Sequence, residues 1–382
     1  MKIYDVVILG AGASGLMCAS QLHKSLSVAI VEGNDKIAKK LKISGGGKCN
    51  ITNVDVSLYH YDTEDILLSN TLDLFGKEEL LSFLDNNGVS TEIRKERYYF
   101  CQKSSQEIIS VFQKKIEKQE LYLNHKIISV KKEKDLFLIQ TDKKLLKATK
   151  VVVATGGKSY KKIGASEIGL EIAKSFGLKV TPFSPALVGL TVQKEQFWMK
   201  ELSGLSCFAN IKVEGKTLEE ELLFTHKGIS GPLVLSASLY WKKGEISINF
   251  LPNYELQNIF RGGKKLISSV LPLPKRLSKS LLEVLQVQDL ACNKITQESF
   301  KKLSKIQDYS FAPAGNFGFE KAEVSKGGVC KNGLNAYTCE TLDVKGLYFI
   351  GEVVDITGEL GGYNFQWAFG SGFVCAKSFN EN

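Results

Sequence analysis

At 382 residues the chain exceeds what one hydrophobic core readily holds, so a main domain with one or two smaller ones is expected. Hydrophobic content of 43% beside 24% charge excludes a disordered chain, and no apolar run approaches the length of a membrane span. The net charge of +9 is spread over separated pairs (Lys39 and Lys40, Lys131 and Lys132, Lys161 and Lys162, Lys242 and Lys243), which argues against a dedicated nucleic-acid arm.

The opening MKIYDVVILG passes straight into a strand pattern and leaves no room for a basic leader, which argues against export. Eight cysteines are scattered without a CxxC pair and without zinc-like spacing to any of the four histidines. They are expected to be reduced thiols in a cytoplasm, and no metal site is expected.

In chain order, Val6 to Leu9 and Val28 to Val31 read as strands buried on both faces, framing a helix expected over 15–25. Between strand and helix lies Gly10-Ala-Gly12-Ala13-Ser14-Gly15. Its first glycine allows a tight turn, its second lets a pyrophosphate approach the backbone, and its third lets helix and strand pack closely. Glu32 follows Gly10 by 22 positions, where a carboxylate accepts hydrogen bonds from a ribose diol and disfavours a 2′-phosphate. A lone glycine fingerprint also occurs as a plain turn; here the strand, the helix and the acid together point to dinucleotide binding.

Ser44-Gly45-Gly46-Gly47 precedes Lys48, Cys49 and Asn50. Three successive glycines lose much entropy on ordering, so the run reads either as a flexible turn or as a backbone cradle beside a flavin ring. Cys49 has no second cysteine within local reach and reads as a packed, unreactive thiol. Helical patterns over Glu64–Leu74, Glu78–Asn86 and Ser104–Lys118, with extended Glu96–Cys101, read as an excursion covering the cofactor domain.

Three strands are expected between Leu121 and Val153, the last ending in the turn Thr155-Gly156-Gly157, at the sheet edge where doubly wound folds bind ligands. A plain strand-to-helix turn is the alternative. A helix follows over 166–180, closed by Gly177, and Pro182 with Pro185 brackets a boundary. Residues 187–250 alternate as a small antiparallel sheet or barrel; 253–308 read as helices broken by Leu-Pro-Leu-Pro at 271–274. His226 and Ser230 lie four apart here, either as acid–base groups or in a structural turn.

The chain returns to a buried strand at Leu347–Ile350 ending in Gly351-Glu352, and Gly361-Gly362-Tyr363-Asn364 opens a last helix. A carboxylate at a strand end can hold a ribitol hydroxyl, and a helix amino terminus stabilises negative charge on a flavin's N1 and C2 carbonyl. The competing reading is a strand and helix that merely complete the sheet.

These stretches together resemble the bacterial YhiN/BaiN-like family of FAD-dependent flavoproteins, also described as NAD(P)/FAD-dependent or aminoacetone oxidase-like. The resemblance rests on GAGASG with Glu32, ISGGGKCNITN, ATGGKSY with IGASEIG, PALVGLTV, ELLFTHKGISGP, SKGGV and GLYFIGEVVDITGELGGYNFQWAFGSG. Three departures stand out: Lys48 where arginine is common, Lys161 where proline often follows Ser-Tyr, and a stretch after Gly333 without Met-Glu-Ser-Lys.

The resemblance implies an α/β fold: a Rossmann-type, glutathione-reductase-like FAD domain built from both chain ends (1–186 and 326–382), with an inserted β-barrel domain (187–325) carrying a helical subdomain near 253–308. It implies non-covalent FAD held by Ala13, Glu32, the segment around Lys40, Gly45 to Gly47, the Gly156 turn and Glu352 to Asn364. Ser14, Ser44, Asn50, Ile127, Thr155, Gly351, Asp355 and Gly362 complete the candidate set.

No second GxGxxG with strand and helix context lies between 156 and 345, so NAD(P)H is expected at most as a transient donor against the flavin. The expected chemistry is hydride transfer through flavin N5 to or from a small organic substrate, either reduction of a conjugated enone or oxidation of an amine. His226 and Tyr363 are the candidate proton donors. Two alternatives stay open: an RNA-associated flavoprotein supporting nucleotide modification, and an FAD redox sensor using Cys49.

Overall fold

The computed structural model describes residues 2–160 and 163–380; Lys161 and Lys162 lie outside the described residues. The chain divides into two compact units, Met1–Pro185 with Glu323–Asn382, and Ala186–Ala322.

The first unit is built on a seven-stranded sheet. β1 (Ile3–Leu9) pairs in parallel with β2 (Val28–Val31), Val6 opposite Val28, because both runs are apolar on both faces and must be covered on both. The first helix, Ala13–Gln21, returns the chain between them, starting two residues before the expected position and ending four before it. A three-stranded side sheet follows, from β3 (Asn50–Asn53), β4 (Thr91–Arg94) and β5 (Tyr98–Cys101), with β5 central. Helices Ile66–Leu74, Lys77–Asp85 and Gln106–Lys115 occupy the expected excursion.

β6 (Glu120–Tyr122), β7 (Ile127–Glu133), β8 (Leu136–Thr141) and β9 (Leu145–Val153) complete the order β6-β2-β1-β9-β8-β7. β9 is long enough to serve two partners on one side. Its first residues pair antiparallel with β8, Ala148 opposite Phe137, and its last pair in parallel with the C-terminal Leu347–Phe349 strand, Val153 opposite Phe349. That forked pairing brings the end of the chain into the same sheet as β1, with β9 between them. Helix Ile168–Ser175 is shorter than expected. Pro182 and Pro185 lie inside a strand, β10 (Val180–Ala186), which tolerates them because it belongs to a separate two-stranded ladder.

The second unit holds β11 (Leu190–Thr191), β12 (Ser206–Val213), β13 (Lys216–Thr225), β14 (Gly228–Ser230), β15 (Ile246–Asn249), β16 (Tyr309–Phe311) and β17 (Gly315–Asn316). Their ladders are antiparallel and run in one line, β16-β15-β12-β13-β14-β11-β17, among the described residues. Strict alternation in β12 sends Cys207, Ala209, Ile211 and Val213 inward. One element escaped the periodicity argument: helix Gly231–Tyr240, whose apolar residues do not gather on a single stripe and whose Pro232 sits in the first turn. Helices Ile267–Val270 and Lys275–Val284 flank the Leu271–Pro274 break.

The chain re-enters the first unit through β18 (Val324–Val329), the partner of β10, and β19 (Leu347–Phe349), then ends in the 18-residue helix Tyr363–Asn380. That helix packs on the first one so closely that a Cβ on Gly372 would stand 2.4 Å from the Ser14 carbonyl oxygen. No helix among the described residues is long and apolar enough to cross a membrane.

Candidate cofactor site

The glycine turn divides into positions the fold needs and one it leaves open. A Cβ on Gly10 would meet the Ala154 carbonyl oxygen at 2.4 Å, and one on Gly15 would meet the Gly10 oxygen at 2.1 Å. Gly12 has no atom within 4 Å of that position, although it caps the first helix. Packing therefore explains Gly10 and Gly15, whereas the space over Gly12 faces a helix amino terminus whose first-turn NH groups lack intrahelical partners.

Glu32 directly follows β2, its carboxylate already oriented. Oε2 accepts from the Ala11 backbone NH at 2.8 Å, and Oε1 accepts from the Asn34 backbone and side-chain nitrogens at 2.9 and 2.7 Å. A carboxylate offers about four acceptor positions, which leaves capacity for one hydroxyl donor. Ile127 opens β7 two residues after His125, whose backbone NH donates to the Glu32 carbonyl at 3.0 Å.

The triple glycine is an ordered turn. Gly45, Gly46 and Gly47 all take positive φ (55°, 66° and 86°), the Cys49 NH closes onto the Ser44 carbonyl, and the Ser44 hydroxyl donates to Leu41 O. Gly45 is needed for packing, since a Cβ there would lie 2.8 Å from Phe100 and from Asn50 N; Gly46 and Gly47 have nothing within 4 Å. Gly156 (φ 70°) is likewise open, whereas Gly157 is hemmed in by Ser325 and Glu352.

Glu352 accepts from Lys40 Nζ at 2.6 Å and from the Ser325 backbone NH at 2.8 Å, bringing three distant segments together. Gly351 takes φ 73° and is clamped by the Ser371 hydroxyl on its NH and the Trp367 indole NH on its carbonyl. Asp355 is engaged by the Thr181 hydroxyl at 2.6 Å. Gly362 is pressed on the Thr52 backbone, and the Asn364 side chain both accepts from Gly358 NH and donates to its carbonyl, fixing the loop before the last helix.

Four buried side-chain atoms on these segments have no hydrogen-bond partner: Asn50 Oδ1, Thr155 Oγ1, Thr357 Oγ1 and Tyr363 OH. Orphaned polar atoms are costly in a protein interior, and together with the open glycines they describe a site that fits a bound dinucleotide. FAD would be held by the Gly12 and Gly156 turns, Glu32, the Gly46–Gly47 cradle and the start of the last helix.

The two candidate proton donors sit in different surroundings. His226 is exposed at the hairpin turn between β13 and β14, where the Thr225 hydroxyl accepts from the Lys227 and Gly228 NH groups, and Ser230 caps the following helix. These bonds describe a structural turn. Tyr363 is buried, and burial with the nearby Glu359 carboxylate pushes its phenol well above the usual range.

Sequence reasoning missed His60. Its ring stacks on Tyr363 at 4.6 Å, with Nδ1 3.4 Å from Glu359 and Nε2 3.2 Å from Asp55. Burial alone favours the neutral imidazole, but the bonds to Glu359 and Asp55 outweigh it and raise the pKa. Glu359 lies 299 positions away along the chain, so no local pattern could have announced the pair. The Cys49 thiol is buried and pushed up to about 12, as a packed and unreactive cysteine would be.

The chain is similar over its length to known proteins. It is 35% identical to the ribosomal RNA dihydrouridine synthase of Haemophilus influenzae, covering 98% of both chains. It is 34% identical to the protein of the same name from Escherichia coli, over 99% of this chain and 98% of that one. It is 28% identical to the 3-dehydro-bile acid delta(4,6)-reductase of Clostridium scindens, over 98% of both. The sequence profile described as HI0933-like protein Rossmann domain matches residues 4–378, and the chain belongs to that family of FAD-dependent oxidoreductases.

Proposed function

We propose that this enzyme adds hydride and proton across a carbon–carbon double bond conjugated to a carbonyl, and that its substrate is a uracil base in ribosomal RNA. The observation that carries this reading is the similarity, at 34 and 35% identity over nearly the full chain, to two relatives named as ribosomal RNA dihydrouridine synthases. The third relative is named as a reductase, and reduction of a carbon–carbon double bond is a chemistry that would serve either kind of substrate. In uracil the hydride goes to C6, β to the C4 carbonyl, and the proton to C5, a two-electron reduction.

FAD, when bound, supplies the hydride from N5, with NAD(P)H as the proposed ultimate donor. The chain's own part is to fix that group with the Gly12 turn and Glu32. The amino-terminal end of the Tyr363–Asn380 helix would stabilise negative charge on a flavin bound next to it. The net charge of +9 suits a polyanionic partner, although its dispersal along the sequence points away from one.

The test is to incubate the flavin-loaded protein anaerobically with NADPH or NADH and ribosomal RNA lacking dihydrouridine, then digest the RNA and measure nucleoside masses. Uridine gaining two hydrogens is expected. Absence of that product with a flavin that NAD(P)H reduces would overturn the RNA reading, and turnover of a steroid dienone in the same assay would favour the bile-acid-type substrate instead.

A further inference from the structure

We infer that the β4–β5 hairpin, Thr91–Cys101, is the surface on which a single-stranded RNA segment lies while its uracil enters the site. This rests on the function proposed above. The hairpin carries the run Arg94-Lys95-Glu96-Arg97-Tyr98-Tyr99-Phe100, the chain's densest interleaving of cations and aromatic rings.

The pleat sorts that run into a face. Arg94 pairs with Tyr98 and Glu92 with Phe100, so these four point to one side, while Ile93 and Tyr99 point to the other. On the first side both rings touch the glycine loops of the cofactor site. A Cβ on Gly45 would lie 2.8 Å from Phe100, and one on Gly361 would lie 2.8 Å from Tyr98. Above those rings sit the arginines, the Arg94 guanidinium 4.8 Å from the Phe100 ring centre and that of Arg97 5.4 Å from the Tyr98 ring. Arg94 is held by Glu92 through Nε (2.8 Å), and Lys48, at the end of the triple-glycine turn, shares that carboxylate at 3.2 Å.

Arginine planes and aromatic rings are the groups on which unstacked RNA bases lie, and cations track the phosphates between them. The tip turns tightly, Lys95 and Glu96 both having positive φ (49° and 56°), so the basic residues project from a rigid support. Between residues 91 and 103 the chain places Arg94, Lys95, Arg97 and Lys103 against Glu92 and Glu96. A strand following this hairpin is led to the place where the rings meet the glycine loops.

The experiment measures binding of a fluorescein-labelled, uridine-containing single-stranded RNA to the flavin-loaded protein by anisotropy across a salt series. The Arg94→Ala, Arg97→Ala double variant is expected to retain flavin, to bind about tenfold more weakly, and to lose about one to two from the log–log salt slope. The Arg94→Lys, Arg97→Lys pair keeps charge without the planar stack and is expected to recover the slope but only part of the affinity. Lys242→Ala with Lys243→Ala, removing the same charge elsewhere, is expected to bind as wild type. Wild-type RNA binding that is unchanged in the alanine pair, or a loss matched by the Lys242 and Lys243 control, overturns the surface and leaves the function standing. Wild-type protein that neither binds RNA nor forms dihydrouridine overturns both.

Discussion

Lys40 and Glu352, far apart in sequence, form an ion pair at 2.6 Å that ties the segment after Glu32 to the turn after β19. Both side chains are partly buried, and Glu352 also holds the Ser325 NH, so the pair joins three segments of chain at the candidate cofactor site. Glu352→Gln keeps an acceptor for Ser325 but leaves the ammonium without its counter-charge. Its expected cost is about 1–3 kcal/mol, between exposed and buried pairs. Urea unfolding monitored by circular dichroism checks this, and flavin retention through gel filtration should fall in parallel; a midpoint equal to wild type would mean the pair is incidental.

Two glycines of one turn should answer differently to the same change. Gly15→Ala drives a methyl to 2.1 Å from a backbone oxygen, and a packed turn cannot give way, so folded yield and melting temperature should drop. Gly12→Ala meets no protein atom and should melt like wild-type apoprotein while binding FAD at least about tenfold more weakly, or about 1.4 kcal/mol. Gly12→Val should abolish retention. Flavin absorbance beside the melting curve separates the two effects, and a Gly12→Val protein with full flavin would refute the fingerprint.

The parts legible in the sequence are those specified by local patterns. Val6–Leu9 and Val28–Val31 announced buried parallel strands because no polar residue interrupts them, and Gly10, Gly12 and Gly15 announced a turn because their spacing meets a strand and a helix. Helix Gly231–Tyr240 was hidden for the opposite reason: it is apolar nearly all round, so it shows neither period. The forked use of β9 and the His60–Glu359 contact are products of tertiary pairing between chain ends. Pro182 and Pro185 read as a break because local propensity cannot tell an isolated edge ladder from a linker.

Thiol chemistry offers a cleaner check on the sensor alternative. Seven of the eight cysteines are buried, Cys330 being the partly exposed one. Burial pushes Cys49 up to about 12, and burial with neighbouring Cys49 does the same for Cys101. Negligible thiolate exists on either at neutral pH. A disulfide reagent at pH 8 should therefore titrate about one thiol in native protein and all eight in denaturant. Cys49→Ala should leave the rate of flavin reoxidation unchanged; a changed rate would revive the redox-sensor reading.

His60 makes the pH dependence of the site predictable in sign. Among the described residues, Asp55 and Glu359 face its ring by hydrogen bonds, Tyr363 by stacking and Tyr59 edge-on. Burial works against the charged form, yet the two carboxylates prevail and the folded-state pKa lies above the ordinary 6.5. A raised histidine pKa means that the folded state binds the proton more tightly than the unfolded chain. The contribution is then complete below about 6.5 and fades as pH rises through the folded value. Unfolding free energies of wild type and His60→Asn should differ most at about pH 6, and the gap should narrow as pH rises through the folded-state pKa. The burial-raised Asp62 is present in both proteins and cancels in the comparison. The imidazole proton signal in NMR should titrate above 6.5 in wild type and move down in Glu359→Gln. A stability difference that instead grows with pH would show that His60 is held neutral, and that its two carboxylates serve the backbone and not the ring.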